Sequence, residues 1–598
     1  MNDRLGACRR ALGRLRPLLP IALAVLISLV AAGCVGLRTA TEGEPVSAVV
    51  ALPSAPTPAG DRTAEKVVEI ALGDPIQIKG SGASVDGSTV RITSGGTYRL
   101  SGTLRDGQVV VDTQDGKLVK LILDGADITS SRSAPIHVAR AKATVISLPD
   151  GTKNRVADGG DYGLADPEND EPNAAIFSKG NLTIEGGGSL TVEASFRDGV
   201  TSKDELTISG GDVTVRAAND GVRGRDFILV RGGRLAVNAR ADGLRSNNDV
   251  DPEKGYVAIE GGAVAVTAGA DGIQAQTSVA VRGGTVAIAT GGGSAASGAS
   301  ATPAAGGSAE AKAAGKSRGI KALADVTVSG GTITVDSSDD AINANGNITI
   351  SDGVLVLAAG DDGIHSDATL TIGGGDVRIT RSVEAIEGAV INVNGGSIRL
   401  TASDDGVNVA EGSSAPAGGG GSPAPLDLHL SVTGGYVVID ALGDGLDVNG
   451  WAKMTGGTII VHGPLVTDNG ALDYAREWTM AGGTLVAVGS FGMAQAPDAT
   501  STQRSLVVTL QSPAPAGTLV HVAAEDGTAL LTFAPLRAYQ SVVYSSPELR
   551  PGTTYNVFVG GSATGDVADG VYSGGTYTPG VPTARITAST VAGGIARR

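Results

Sequence analysis

One theme keeps restarting between residues 198 and 407 of this chain: an acidic residue, then Gly or Ala, then an aliphatic residue. The restarts read Asp198-Gly199-Val200, Asp220-Gly221-Val222, Asp242-Gly243-Leu244, Asp271-Gly272-Ile273, Asp340-Ala341-Ile342, Asp362-Gly363-Ile364, Glu384-Ala385-Ile386 and Asp405-Gly406-Val407. Four of the intervals between them are 22 residues. A fixed period of this size marks a solenoid, in which each unit buries its apolar face only against its neighbours.

Within one unit, Leu206 and Ile208 flank Thr207, Gly210-Gly211 interrupts, and Val213 and Val215 flank Thr214. Adding 22 lands on Ile228, Val230, Leu235 and Val237; adding 142 lands on Ile348, Ile350, Leu355 and Leu357. Period-two alternation bounded by Gly pairs predicts short strands with one buried face. A helical solenoid needs apolar residues at three- and four-residue spacing, and 90 Gly would damage its helices. The expected fold is therefore all-β: a right-handed parallel β-helix with coils of about 22 residues, closed by a C-terminal β cap. Three short strands per coil are expected, with Gly supplying positive φ at the corners and coils stacked about 4.8 Å apart. Aromatics are 3% of the chain, which suits a narrow core of stacked aliphatic ladders.

Residues 1–33 read as a lipoprotein signal peptide, with Arg4, Arg9, Arg10, Arg14 and Arg16 before the apolar run Leu18–Val30. Ala31-Ala32-Gly33-Cys34 looks like a bacterial lipobox, making Cys34 the lipidated first residue of an extracytoplasmic chain anchored to the cell membrane. Cys8 leaves with the signal, so no disulfide framework is expected. Residues 34–66, rich in Ala, Pro, Thr and Glu, read as a flexible tether. The β-helix is expected over 67–490, with low-complexity insertions at 291–316 and 412–425, and a β-rich closing unit over 491–598. Runs such as Leu506–Leu510, Leu519–Ala523 and Thr554–Val559 predict antiparallel strands in that unit.

Residues 1–33 carry five Arg and one Asp, so their removal moves the formal charge from −16 to −20. Such acidity excludes nucleic acid as a natural partner, because that binding is driven by Lys and Arg on phosphates. It also disfavours an anionic membrane face, leaving the lipid as the only membrane contact of a monomer. If the coils stack, Asp198, Asp220, Asp242 and Asp271 fall along one edge, as do Asp340, Asp362 and Asp405. Carboxylates about 5 Å apart repel by about 1 kcal/mol per pair in water, and a hard divalent cation such as calcium relieves that with oxygen ligands. Each Asp also has a plainer role, bonding its own turn backbone. Asp249 and Asp251, in Asn247–Glu253, add a loop with alternating side-chain oxygens but without the glycine of an EF-hand. Asp158–Glu171 is a second acidic loop.

Catalytic signals are weak. The five His (His137, His365, His429, His462, His521) are too scattered to suggest a zinc site. Lys203, Arg223, Arg245 and Arg381 are candidate bases for a polysaccharide lyase, with salt-bridge partnership to the aspartates as the alternative. The doublets Asp339-Asp340, Asp361-Asp362 and Asp404-Asp405 are expected to point successive side chains apart, which makes poor acid–base pairs.

Gly96-Thr97-Tyr98-Arg99-Leu100-Ser101-Gly102, Leu121-Ile122-Leu123-Asp124-Gly125, Asp170-Glu171-Pro172-Asn173-Ala174-Ala175-Ile176, Lys254-Gly255-Tyr256 and Ser382-Val383-Glu384-Ala385-Ile386-Glu387-Gly388 together carry a resemblance. The chain resembles, from about Val67 to Tyr577, the bacterial carbohydrate-binding β-helix family related in fold to pectate lyases. The resemblance implies calcium, binding of acidic plant polysaccharide and cellulose, and secretion or lipid anchoring. It implies a metal role for Asp198, Asp220, Asp242 and Asp362; Ala341, Ala385 and Glu384 depart from the motif. The expected function is non-catalytic, calcium-dependent polysaccharide binding, with polygalacturonate favoured. The alternatives are a calcium-dependent lyase and a structural spacer or adhesin.

Overall fold

The computed structural model describes residues 67–162, 171–296, 317–411 and 427–588. The signal peptide, Cys34, the tether, and most of the two low-complexity tracts lie outside the described residues. All helical and strand elements among the described residues are strands.

Three strands make one coil. Asp198–Ser202 forms a corner face, Glu205–Ile208 a middle face and Asp212–Ala217 a third face. The next coil repeats them as Val222–Gly224, Phe227–Val230 and Arg234–Ala239, parallel and in register: Val200 faces Val222, Leu206 faces Ile228, and Val213 faces Leu235. The first low-complexity tract does not disturb the stacking, since Ile273 pairs with Ile320 across it. Neither does the second, across which Val390 pairs with His429 and Ser397 with Tyr436. Register holds because a slip of one residue would turn every inward aliphatic side chain outward. The third-face ladder that runs through Val213 and Leu235 is still fully buried at Ile459 and Leu485.

Both solenoid ends are closed by antiparallel pairing, which covers backbone groups that would otherwise template another chain. At the N-terminal end Val68–Leu72 pairs antiparallel with Gln77–Lys79. At the other end Trp478–Gly489 pairs antiparallel with Tyr539–Ser545, which pairs with Ser505–Ala514. A separate six-stranded sheet, including Val520–Ala524 and Thr554–Val559, carries a second core around Phe533, Tyr539 and Tyr555. Arg399 and Asp569, 2.9 Å apart, tie this sheet to the solenoid.

The corner glycines serve close approach, which corrects the expectation of positive φ there. Positive φ falls on the second Gly of the Gly pairs between the middle and third faces, as at Gly211 (φ 89°) and Gly233 (φ 78°), and on none of the corner glycines. A Cβ at Gly221 would lie 2.2 Å from Val237 Cγ1 and 2.7 Å from the Gly243 carbonyl oxygen. Val215, Val237, Ile288, Val335, Ile379 and Val461 crowd the corner glycines in this way. In the coils that carry Ala341 and Ala385, the same ladder holds Leu357 and Leu400 instead. A β-branched side chain puts a methyl group where an Ala Cβ must go, whereas Leu branches one carbon further out. Gly221→Ala is expected to lower the melting midpoint, at an overpacking cost of about 1–3 kcal/mol. Adding Val237→Leu is expected to recover part of it. Strictly additive melts of the two single variants and the double variant would contradict this steric pairing.

Candidate functional site

Stacking brings the acidic corners into one file. Asp220 N–H donates to Asp198 Oδ1 at 3.3 Å, Asp242 N–H to Asp220 Oδ1 at 3.2 Å, and Asp271 N–H to Asp242 Oδ1 at 3.0 Å. Arg318 N–H continues the file onto Asp271 Oδ1, Asp362 N–H onto Asp340 Oδ1, and Asp444 N–H onto Asp405 Oδ1. One oxygen of each carboxylate thus receives the corner amide of the following coil. This differs from an ordinary Asx-turn, in which the side chain serves its own turn. The reason is geometric: the corner residue of the next coil lies directly beside it in the stack.

The second oxygen meets the side chain three residues past the corner, and that position changes character along the solenoid. In the earlier coils it runs Thr201, Arg223, Arg245, Gln274, Lys321 and Asn343, basic in three of six. Arg223 lies 3.5 Å from Asp198 Oδ2, Arg245 3.4 Å from both Asp220 and Asp242 Oδ2, and Lys321 3.5 Å from Asp271 Oδ2. Asn343 and Arg318 hold Asp340 Oδ2 at 2.9 and 3.0 Å. From Asp362 onward the same position holds His365, Glu387, Asn408 and Asp447. Among the described residues, no Lys or Arg comes within ion-pair distance of Asp362, Glu384, Asp405, Asp444 or Asp447.

Three groups of potential ligand atoms converge within 4.8 Å: Asp339, Asp340 and Asp361; Asp362, His365 and Glu387; and Asp405, Asp444 and Asp447. The first is partly neutralised, since Arg318 Nε sits 3.4 Å from Asp339 Oδ2 and 3.0 Å from Asp340 Oδ2. The Asp339-Asp340 doublet therefore converges on one guanidinium, against the expectation of divergence. The backbone bends there, with Ser337 Oγ donating to the Asp339 carbonyl at 2.9 Å, so strand alternation does not apply. The third group is all oxygen and, among the described residues, lacks a basic partner. Beside it, Asn408 keeps a buried carbonyl oxygen without a hydrogen-bond partner.

Burial dominates the protonation behaviour of this end. It pushes Asp405 up to about 7, helped by Asp404, Asp444 and Asp447, and Asp444 up to about 6, helped by Asp473, Asp447 and Asp404. Glu384 reaches about 8 through burial and the neighbouring Glu387. Asp362 reaches about 7 through burial and the charges of Asp340, Asp361 and Glu387, against the pull of His365. His365 itself, despite burial, is held protonated up to about 11 by Asp362, Glu387 and Asp367. Folded-state values above the reference carboxyl values of 3.8 and 4.5 mean that the folded state binds these protons more tightly. Their contribution is greatest below pH 4 and declines as pH rises to about 8; that of His365 declines above 6.5 in the same direction. Without metal, the melting midpoint of this region is expected to fall between pH 5 and 9. Added calcium is expected to raise it more at pH 8 than at pH 5. An equal calcium effect at both pH values would contradict this balance.

The remaining predicted residues fall elsewhere. Asp249 is exposed, and Asp251 Oδ1 accepts the Glu253 amide at 3.0 Å, so the 247–253 loop uses its oxygens to hold its own backbone. In the Asp158–Glu171 loop, of which 163–170 lie outside the described residues, Asp158 accepts the Tyr162 hydroxyl at 2.7 Å and Glu171 pairs with Lys179 and Lys203. The pairing of Lys203, Arg223 and Arg245 with carboxylates matches the salt-bridge alternative for these candidate bases. Sequence reasoning missed Asp444 and Asp447, although Asp444-Gly445-Leu446 is a full corner motif. It also missed the ligand potential of His365 and Glu387.

Residues 86–363 match the model of a family described as carbohydrate-binding domain-containing protein. A carbohydrate-binding domain-containing protein of Acetivibrio thermocellus is 43% identical over 136 residues, which is 23% of this chain and 48% of that protein. The chain thus spans about half the length of the curated relative it matches. The solved structure of a polysaccharide lyase-like protein from C. thermocellum, a gadolinium derivative, is 38% identical; the match covers 38% of this chain and 92% of that one, with a TM-score of 0.37. The family model matches less than half of the chain. Asp405, Asp444 and Asp447 lie C-terminal to the matched segment.

Proposed function

We propose that this chain binds acidic polysaccharide without cleaving it, through calcium held at Asp405, Asp444 and Asp447. The observation that carries this reading is the convergence of these three carboxylates with no basic partner among the described residues, on a solenoid that places Arg223, Arg245 and Lys321 at the same position in earlier coils. An all-oxygen donor set suits calcium, which takes six to eight oxygens in flexible geometry. Asn408 Oδ1 is available as a neutral oxygen ligand. Calcium supplies positive charge that can face the carboxylates of a polyuronate, which the acidic protein would otherwise repel. Trp451 stacks on His429 with ring centroids 4.2 Å apart, on the strand that directly follows the Leu446–Val448 corner strand. That half-buried ring pair adds an apolar surface for a sugar ring.

Binding without turnover is favoured because three of the four candidate bases are engaged, Lys203 with Glu171 at 2.9 Å, Arg223 with Asp198, and Arg245 with Asp220 and Asp242, while Arg381 is exposed. Incubation of the full chain with polygalacturonate is expected to give calcium-dependent retention and no ultraviolet signal of unsaturated product. Sustained product formation that disappears in Lys203→Ala or Arg245→Ala would establish the lyase instead. Absence of retention with and without calcium would leave the spacer or adhesin reading.

A further inference from the structure

The second convergent group differs chemically from the third, because one of its donors is nitrogen. Asp362 stands at its corner, and His365 faces Glu387 in register on the following coil. His365 Nδ1 lies 2.9 Å from Asp362 Oδ2 and 3.3 Å from Glu387 Oε2. A ring nitrogen has one in-plane site, occupied by either a proton or a lone pair. A single proton there is shared between the two carboxylates, and Glu387 also takes hydrogen bonds from its carboxyl neighbours Glu384 and Asp362. A cation in front of the lone pair satisfies both at once. Ligands in a tetrahedral site with bond lengths of about 2.0–2.2 Å lie about 3.3–3.6 Å apart, which the 3.3 Å separation meets and the 2.9 Å separation reaches by opening a few tenths of an ångström.

The other side of the ring supplies an independent observation. His365 Nε2 lies 3.1 Å from Asp367 Oδ1, and Asp367 is not one of the converging ligands. Metal-binding imidazoles characteristically donate their second N–H to a carboxylate, which fixes the tautomer and aims the free lone pair at the metal. Here that donation leaves Nδ1 facing Asp362 and Glu387. Asp362 and His365 are only 7% and 8% exposed, so the two are held in place by the packed coil. The nearest charged neighbours, Glu384, Asp340 and Asp361, are all acidic and add to the pull on a cation.

We propose that Asp362, His365 and Glu387 form a binding site for a divalent metal of the zinc class, with Asp367 as the positioning residue for the imidazole. Mixed nitrogen and carboxylate donors suit such ions better than calcium, whose ligands are oxygens. The site is separate from the all-oxygen group at Asp405, Asp444 and Asp447, and its existence does not depend on glycan binding.

The test uses the full chain, stripped with chelator and held in excess calcium so that the oxygen sites are occupied. Titration with Co2+ is expected to give visible ligand-field bands that Zn2+ abolishes, with a single equivalent of metal lost in His365→Gln. Asp367→Asn leaves the three ligands in place and is expected to weaken zinc binding 10–100-fold. His365→Gln is expected to melt cooperatively in the absence of zinc, so loss of metal is not loss of fold. Equal zinc binding by wild type and His365→Gln would overturn the proposal. So would nitrogen-15 spectra in which both ring N–H protons of His365 persist at saturating zinc, since that is the signature of an imidazolium bound to carboxylates.

Discussion

Changing Asp405, Asp444 and Asp447 together to Asn is expected to abolish calcium-dependent retention of polygalacturonate, whereas the same change at Asp198, Asp220 and Asp242 leaves it largely intact. Asn keeps an oxygen able to accept the corner amides, such as that from Asp444 to Asp405 Oδ1, so both triple variants retain the ladder. What differs is the charge that each set offers to a cation. At the earlier set, Arg223 and Arg245 already lie 3.4–3.5 Å from the outward oxygens. At the later set the oxygens face one another, and affinity for calcium depends steeply on the number of charged ligands. Loss of all three charges should weaken calcium by about a hundredfold or more, read by calorimetry. Equal losses in the two variants would place recognition on the whole acidic edge.

Asp220→Ala is expected to be among the most destabilising single changes in the solenoid, and Asp220→Asn a mild one. Asp220 is 1% exposed and accepts the Asp242 amide, while its other oxygen faces Arg245. Alanine leaves a buried N–H without a partner, at about 1–3 kcal/mol, and removes one of the two carboxylates around Arg245. The Arg245 side chain is 37% exposed and keeps Asp242, so its share is smaller than for a fully buried pair. The expected loss is about 3 kcal/mol. Asparagine keeps the acceptor and also relieves the burial and Asp198 repulsion that raise the Asp220 pKa. Denaturant unfolding of the two variants checks this. Equal destabilisation would show that the inter-coil amide bond contributes little.

Much of this architecture was legible because the solenoid repeats one local problem. The 22-residue interval places Asp198, Asp220 and Asp242 on one file, and their amide ladder follows. Simple addition failed where coil length changed. Asp405 and Asp444 are 39 residues apart because the 412–425 tract intervenes, so Asp444-Gly445-Leu446 passed as background. The basic residues Arg223 and Arg245 were visible as candidates, but only stacking shows that they neutralise the early half and leave the late half bare. His365 looked isolated because its partners come from the same corner and from the next coil, with no linear motif. The corner glycines were misread for a different reason. A Gly needed for positive φ and a Gly needed for close approach look alike until the neighbouring Val237 or Ile379 is seen against it.

The most direct measurement is the calcium anomalous signal from crystals grown with calcium and a short galacturonate oligomer. The account predicts a calcium ion ligated by Asp405, Asp444 and Asp447, with a sugar carboxylate completing its coordination sphere and the oligomer left uncleaved. An ion at Asp198, Asp220 and Asp242, or an oligomer bound away from any calcium, would contradict it.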